Sequence, residues 1–103
     1  MNIDDTFRAL ANPMRLNILK WLKEPEIHFE KMEHLPEEEQ GKGYVCVSLI
    51  KKKANITQST TSSYLAILKK AGLLNCKRIG QWTYYQRNEE GIQQLAGFIS
   101  SEL

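Results

Sequence analysis

The sequence predicts an α+β chain, mainly α, in which a helix-turn-helix is followed directly by a two-stranded β-hairpin and then by a long amphipathic C-terminal helix. Three observations predict it. Residues 48–72, SLIKKKANITQSTTSSYLAILKKAG, carry apolar residues at helical spacing on either side of a short turn. Residues 73–87 then change period and become rich in β-branched and aromatic residues around Gly80-Gln81. Finally, no Asp or Glu occurs from Gln40 to Asn88, a stretch holding Lys42, Lys51, Lys52, Lys53, Lys69, Lys70, Lys77, Arg78 and Arg87.

A length of 103 residues fits one domain with a modest core. A hydrophobic fraction of 42% and a charged fraction of 25% are those of an ordinary soluble protein. No apolar run approaches the roughly 18 residues of a membrane span, and MNIDDTF lacks the basic start of a signal peptide, so a cytoplasmic protein is expected. Cys46 and Cys76 are then expected as free thiols. The net charge of +2 conceals an asymmetry, because Glu24, Glu26, Glu30, Glu33, Glu37, Glu38 and Glu39 crowd in front of the basic block. A basic block overlapping a helix-turn-helix favours a polyanionic partner, double-stranded DNA above all.

Taken in order, Asp4 to Ala11 reads as a first helix, with Phe7, Leu10 and Ala11 on one side. Asn12 caps a second, Pro13 suits its first position, and Met14, Ile18, Leu19 and Leu22 face inward as far as about Lys23. Residues 24–43 read as an extended acidic surface loop with at most one helical turn, around Glu30–His34. His28 and His34 lie there among carboxylates, but neither His-x-Glu nor Glu-His defines a coordination geometry, so no metal site is expected. In 44–72, Cys46, Leu49, Ile50 and Ala54 share one helix face, Asn55 suits a left-handed turn residue, and Thr57 caps the next helix. That helix carries Tyr64, Leu65, Leu68 and Ala71 at core spacing and stops at Gly72. Its first turns expose Gln58, Ser59, Thr60, Ser62 and Ser63. These short polar residues are mediocre helix formers, and presentation to a DNA groove accounts for them. In 73–88, Gly80 at the first loop position fits a type II′ hairpin, with Lys77, Arg78 and Gln81 reaching outward as a wing. Asn88 caps the last helix, Glu89 and Glu90 suit its positive end, and Ile92, Leu95, Ala96, Ile99 and Leu103 form an apolar stripe joined by Phe98. The stripe exceeds what a three-helix core covers, which points to the first helix or to a second copy of the chain.

Taken together, the chain resembles the small winged-helix repressors of the ArsR/SmtB family. The resemblance rests on FRALANPMRLNILKWL (7–22), TQSTTSSYLAILKKAGLL (57–74) and RIGQWTYYQ (78–86), three ordered motifs spanning nearly the whole chain. It implies a homodimer joined through the first and last helices, with Phe7, Leu10, Ile92, Leu95 and Ile99 at the interface. It also implies operator binding through Thr57, Gln58, Ser59, Thr60, Ser62, Ser63, Tyr64, Lys77, Arg78 and Gln81, and an effector that changes DNA affinity. The family's arsenic and cadmium sensors carry Cys-Val-Cys before the recognition helix, whereas this chain has Val45-Cys46-Val47-Ser48, and a serine hydroxyl is a poor soft-metal ligand. Its zinc and nickel sensors use Asp and His on the last helix, and residues 89–103 contain neither. No metal or other cofactor is therefore expected. The signal is left to thiol chemistry at Cys46 and Cys76, or to a small molecule or partner near the dimer interface or under the 24–43 loop. A buried cysteine is ordinarily inert, which favours the second route.

Two other classes compete. A winged helix can serve as a protein-interaction or dimerisation module without DNA, but the basic block would then have no purpose. An enzyme is disfavoured, since there is no Gly-rich phosphate loop and no nucleophile beside either histidine.

Overall fold

The computed structural model describes residues 1–103. Asn2 accepts the Asp5 N–H at 3.1 Å and so starts α1 (Ile3–Leu10) slightly earlier than Asp4. Thr6 and Ala9 are its buried residues, while Phe7, expected on the packed side, stays 39% exposed. Asn12 accepts the Arg15 N–H at 3.0 Å to cap α2 (Pro13–Lys23), whose Ile18, Leu19 and Leu22 enter the core.

The acidic segment is more structured than an extended loop. Its helical turns fall at α3 (Pro25–His28) and at a 3-10 turn over Glu37–Glu39, not around Glu30–His34. Proline supplies the reason at both places, opening α3 at its first position and preceding the 3-10 turn as Pro36.

Cys46 closes a two-residue strand, β1 (Val45–Cys46), and occupies the N-cap position of α4 (Val47–Ala54) instead of lying on a helix face. Asn55 then turns the chain in the left-handed region, at φ 55° and ψ 49°. Thr57 accepts the Thr60 N–H at 3.2 Å and starts α5 (Gln58–Lys70). Gly72, at φ +81°, ends that helix. The Gly72 N–H returns to the Lys69 carbonyl and the Leu73 N–H to the Leu68 carbonyl, both at 3.0 Å, which is a Schellman motif.

β2 (Leu74–Ile79) and β3 (Trp82–Arg87) pair antiparallel with Ile79 opposite Trp82, leaving Gly80-Gln81 as the loop. Gly80 sits at φ +60°, and Asn55 is the sole non-glycine with positive φ, so the turn has the type II′ pattern. The hairpin gains a third strand, because β1 pairs with β3 through Val45 opposite Tyr85 and Cys46 opposite Tyr84, in the order β1-β3-β2. Alternation then divides the sheet. Val45, Leu74 and Tyr85 join the helical core around Ile18, Ile50, Leu65, Leu68 and Leu73, whereas Cys46, Tyr84 and Trp82 meet Leu35 and Met32 of the acidic loop.

α6 (Glu89–Glu102) starts after Asn88, whose side chain does not cap it. Instead the Asn88 amide donates to the Gly72 carbonyl at 2.9 Å, and its backbone N–H donates to Leu73 at 2.9 Å. Gly91 is buried against this junction, where a Cβ would collide with the Gly72 carbonyl oxygen. No helix is long and apolar enough to cross a membrane.

Gly91→Ala should therefore cost more than the roughly 1–3 kcal/mol of ordinary overpacking, since the obstacle is backbone held by two hydrogen bonds. Urea denaturation checks this. A variant as stable as wild type would show that α6 does not cross Gly72 so closely.

Candidate nucleic-acid interface

The first turns of α5 and the wing face a common space. A cleft of about 350 Å³ is lined by Ser48, Gln58, Ser62, Gln81, Trp82 and Thr83 among others, which brings residues 58, 62 and 81 together. Gln58, Ser59, Ser62 and Ser63 are exposed, and Thr60 is half-buried. Gln58 Nε2 donates to Ser62 Oγ at 3.2 Å, which aligns two polar groups one turn apart. The Thr57 hydroxyl is engaged in the cap, donating to Thr60 Oγ1 at 2.9 Å. Thr61 is fully buried and returns its hydroxyl to the Thr57 carbonyl at 2.8 Å, steadying the same turn.

Tyr64 lies half-buried toward α2. Its hydroxyl accepts from Asn12 Nδ2 at 3.4 Å, and the Arg15 guanidinium sits 5.1 Å from its ring centre. Arg15 also donates to the Ala9 carbonyl at 2.7 Å, so Asn12 and Arg15 tie α1, α2 and α5 together. Both were legible only as a cap and an outward charge.

The basic block is not uniformly free. Arg78 and Gln81 are exposed near the hairpin tip, with Arg78 Nε donating to the Gly80 carbonyl at 3.3 Å. Lys69 and Lys70 are exposed at the end of α5. Lys52 meets Glu30 at 3.6 Å on open surface, a pair worth little.

Lys77, however, is not a free charge, although its side chain is 43% exposed. Its Nζ donates to Glu39 Oε1 at 2.5 Å, and the Glu39 side chain is only 11% exposed. Strand alternation explains the difference, since Lys77 and Arg78 must face opposite sides of the sheet. Glu39 Oε2 has Lys42 at 3.5 Å as a charge contact but no aligned hydrogen bond. The hydrogen bond from Lys77, followed by opposing desolvation and then the charge of Lys42, leaves the Glu39 carboxyl below its ordinary value, and Lys77 is correspondingly raised. A lowered folded value means that the pair's contribution is present above the ordinary 4.5 and is lost as pH falls through the folded value. No sequence signal separates Glu39 from its two neighbours.

The cysteines are kept apart. Cys46 is buried, its N–H donates to Met32 Sδ at 3.1 Å, and its thiol lies 2.8 Å from Ser48 Oγ. Cys76 is opposite Tyr85 on β2, whereas Cys46 is opposite Tyr84 on β1. The two therefore sit on opposite faces, two strand spacings or about 10 Å apart, beyond the 7 Å that a disulfide tolerates. Direct coupling of Cys46 with Cys76 does not fit this arrangement. Burial, with Cys76 beside it, pushes the Tyr85 hydroxyl up to about 12. His34 stacks on Trp82 with ring centres 4.2 Å apart, and nowhere do three His, Cys, Asp or Glu side chains group as metal ligands would.

Along α1 and α6, Phe7 meets Phe98 edge-on at 6.2 Å, and Ile99 is 45% exposed. Leu10 and Ile92 are half-buried on the core. Leu95 is a correction. It is 8% exposed and packs in the chain's own core, which leaves it little surface for a second subunit.

Residues 41–75 match the family model described as bacterial regulatory protein, arsR family. YbzH of Bacillus subtilis (strain 168), an uncharacterized HTH-type transcriptional regulator, is 50% identical over 99 residues that make up 96% of each chain. The chain belongs to the arsR family of bacterial regulatory proteins. It is thus a transcriptional regulator and not an enzyme. The arsenical resistance operon repressor of the same bacterium is 30% identical across 97% of this chain and 76% of its own. Among solved structures, the homodimeric winged helix-turn-helix DNA-binding domain Mb0332 of Mycobacterium bovis superposes with a TM-score of 0.65 at 25% identity, over 95% of this arsR-family chain and 75% of that one.

Peroxide treatment should leave the protein without an intramolecular disulfide, and arsenite should not be retained through Cys46, as intact mass spectrometry would show. An intramolecular loss of two hydrogens, or a stoichiometric arsenic adduct at Cys46, would contradict this arrangement.

Proposed function

We propose that this arsR-family chain is a single cytoplasmic winged-helix domain that acts as a homodimeric repressor, reading double-stranded DNA with α5 and the wing and leaving its operator when an effector binds. The observation that carries the reading is the cleft shared by Gln58 and Ser62 of α5 and Gln81 of the wing. Its lining comes from the acid-free stretch of the sequence, and the exposed Arg78, close to Gln81 at the hairpin tip, supplies a cation for phosphate contact. Gln58, Ser59, Thr60, Ser62 and Ser63 are assigned to base edges and nearby phosphates, Arg78 and Gln81 to the wing's contacts. Thr57 and Tyr64 act by holding α5 in place. Mb0332 is homodimeric, and Phe7, Ile99 and Leu103 leave exposed apolar surface on this chain that a second copy would cover. A non-metal effector has room in a cleft of about 290 Å³ under the acidic loop, lined in part by Phe29, Met32, Leu35 and Tyr44.

Glutamine can pair bidentately with adenine, a contact worth about 1–3 kcal/mol of discrimination. Gln58→Ala should therefore bring affinities for an operator selected from random duplexes and for its single-base variants closer together. Unchanged discrimination would count against α5 as the reading helix.

Ile99→Glu should convert a dimer into a monomer in sedimentation at micromolar concentration, because a charge cannot be buried unpaired in an apolar interface. Wild type sedimenting as a stable monomer would refute the dimer.

A further inference from the structure

Of the seven glutamates in the acidic loop, Glu39 alone is buried, and the loop around it is seated on one face of the wing sheet. Leu35 packs on Tyr84 and Cys46, the His34 ring stacks on Trp82, and Gln86 Nε2 donates to the Lys42 carbonyl at 2.6 Å. Lys77 shares that face with Tyr84, Trp82 and Gln86, and there it meets Glu39.

We propose that Glu39 is a positioning residue for DNA binding, which pins loop 24–43 to the outer face of the wing and withholds Lys77 from DNA phosphates. An exposed ion pair would yield its lysine to a phosphate at little cost. Glu39 is different, because its mostly buried carboxylate would lose its one aligned hydrogen bond if Lys77 turned away, keeping only the 3.5 Å charge contact of Lys42. The wing therefore meets DNA through Arg78 and Gln81 with one cation fewer than the sequence offers. That lowers sequence-independent affinity without touching the groups on α5 that read bases. The inference rests on the wing's contacting DNA as proposed above.

The experiment is a salt titration of full-length protein on an arbitrary duplex, comparing wild type, Glu39→Gln, Lys77→Gln, the Glu39→Gln/Lys77→Gln pair and Glu33→Gln. Glu33 is an exposed loop carboxylate, so its replacement makes the same change in net charge away from the pair. Releasing Lys77 should steepen the slope of log K against log salt by about 0.9 in Glu39→Gln. Its advantage over wild type should then shrink about 3.5-fold between roughly 50 and 200 mM salt. The double variant should return to the wild-type slope, and Glu33→Gln and Lys77→Gln should keep it. A Glu39→Gln slope equal to that of Glu33→Gln would overturn the proposal. If Glu39→Gln does not fold, Lys77→Gln decides alone, since a slope shallower by about 0.9 would mean that Lys77 already contacts phosphate. Wild type without salt-dependent binding would overturn the DNA reading and this inference with it.

Discussion

The C-terminal turn of α5 joins every part of the molecule. The last carbonyls of α5 are met by the Schellman bonds, and those of the turn that follows, Ala71 to Leu73, are met from elsewhere in the chain. Thr6 of α1 reaches the Ala71 carbonyl at 3.2 Å, the Asn88 side chain takes Gly72, and the Asn88 N–H takes Leu73. Gly91 lets α6 approach the same turn closely. The end of α5, the end of the wing and both apolar surface helices thus meet at one point, which ties the face proposed for DNA to the α1/α6 face.

The second constraint is the two-sided sheet. Tyr85 and its neighbours seal the helical core, and Tyr84 and its neighbours would be bare apolar surface without the acidic loop. Covering that surface brings seven carboxylates beside the wing proposed to contact DNA, and the fold tolerates them by turning six toward solvent and pairing the seventh with Lys77 and Lys42. The loop is thereby an electrostatic partner of the wing as well as a hydrophobic cover.

Local chemistry was legible where one residue decides one turn. Asn55, Thr57, Gly72 and Gly80 each do what their side chains predict, and the order helix-turn-helix, hairpin, helix follows from them. What stayed hidden depends on partners distant in sequence. β1 has two residues, too few for any period, and Cys46 fell by coincidence at helical spacing from Leu49 and Ile50. Asn88 stands at an N-cap position, yet its amide is drawn to Gly72, sixteen residues away. Lys77 counted as a free charge because charge patterning names no partners. Leu95 looked like part of a dimer stripe, and only the packing of α6 on its own core distinguishes it from Ile99.

If the reading helix is rigidly tied to the α1/α6 face, two copies joined through that face must present their α5 helices at a fixed separation. Helix-turn-helix dimers meet half-sites about 34–36 Å apart, one turn of duplex. The most direct measurement is binding to a selected palindromic operator and to the same operator with about half a helical turn inserted between its halves. Two chains per intact duplex are predicted, with the inserted operator bound no better than arbitrary DNA. Equal, two-chain binding to both duplexes would mean that the halves move independently and would contradict the account.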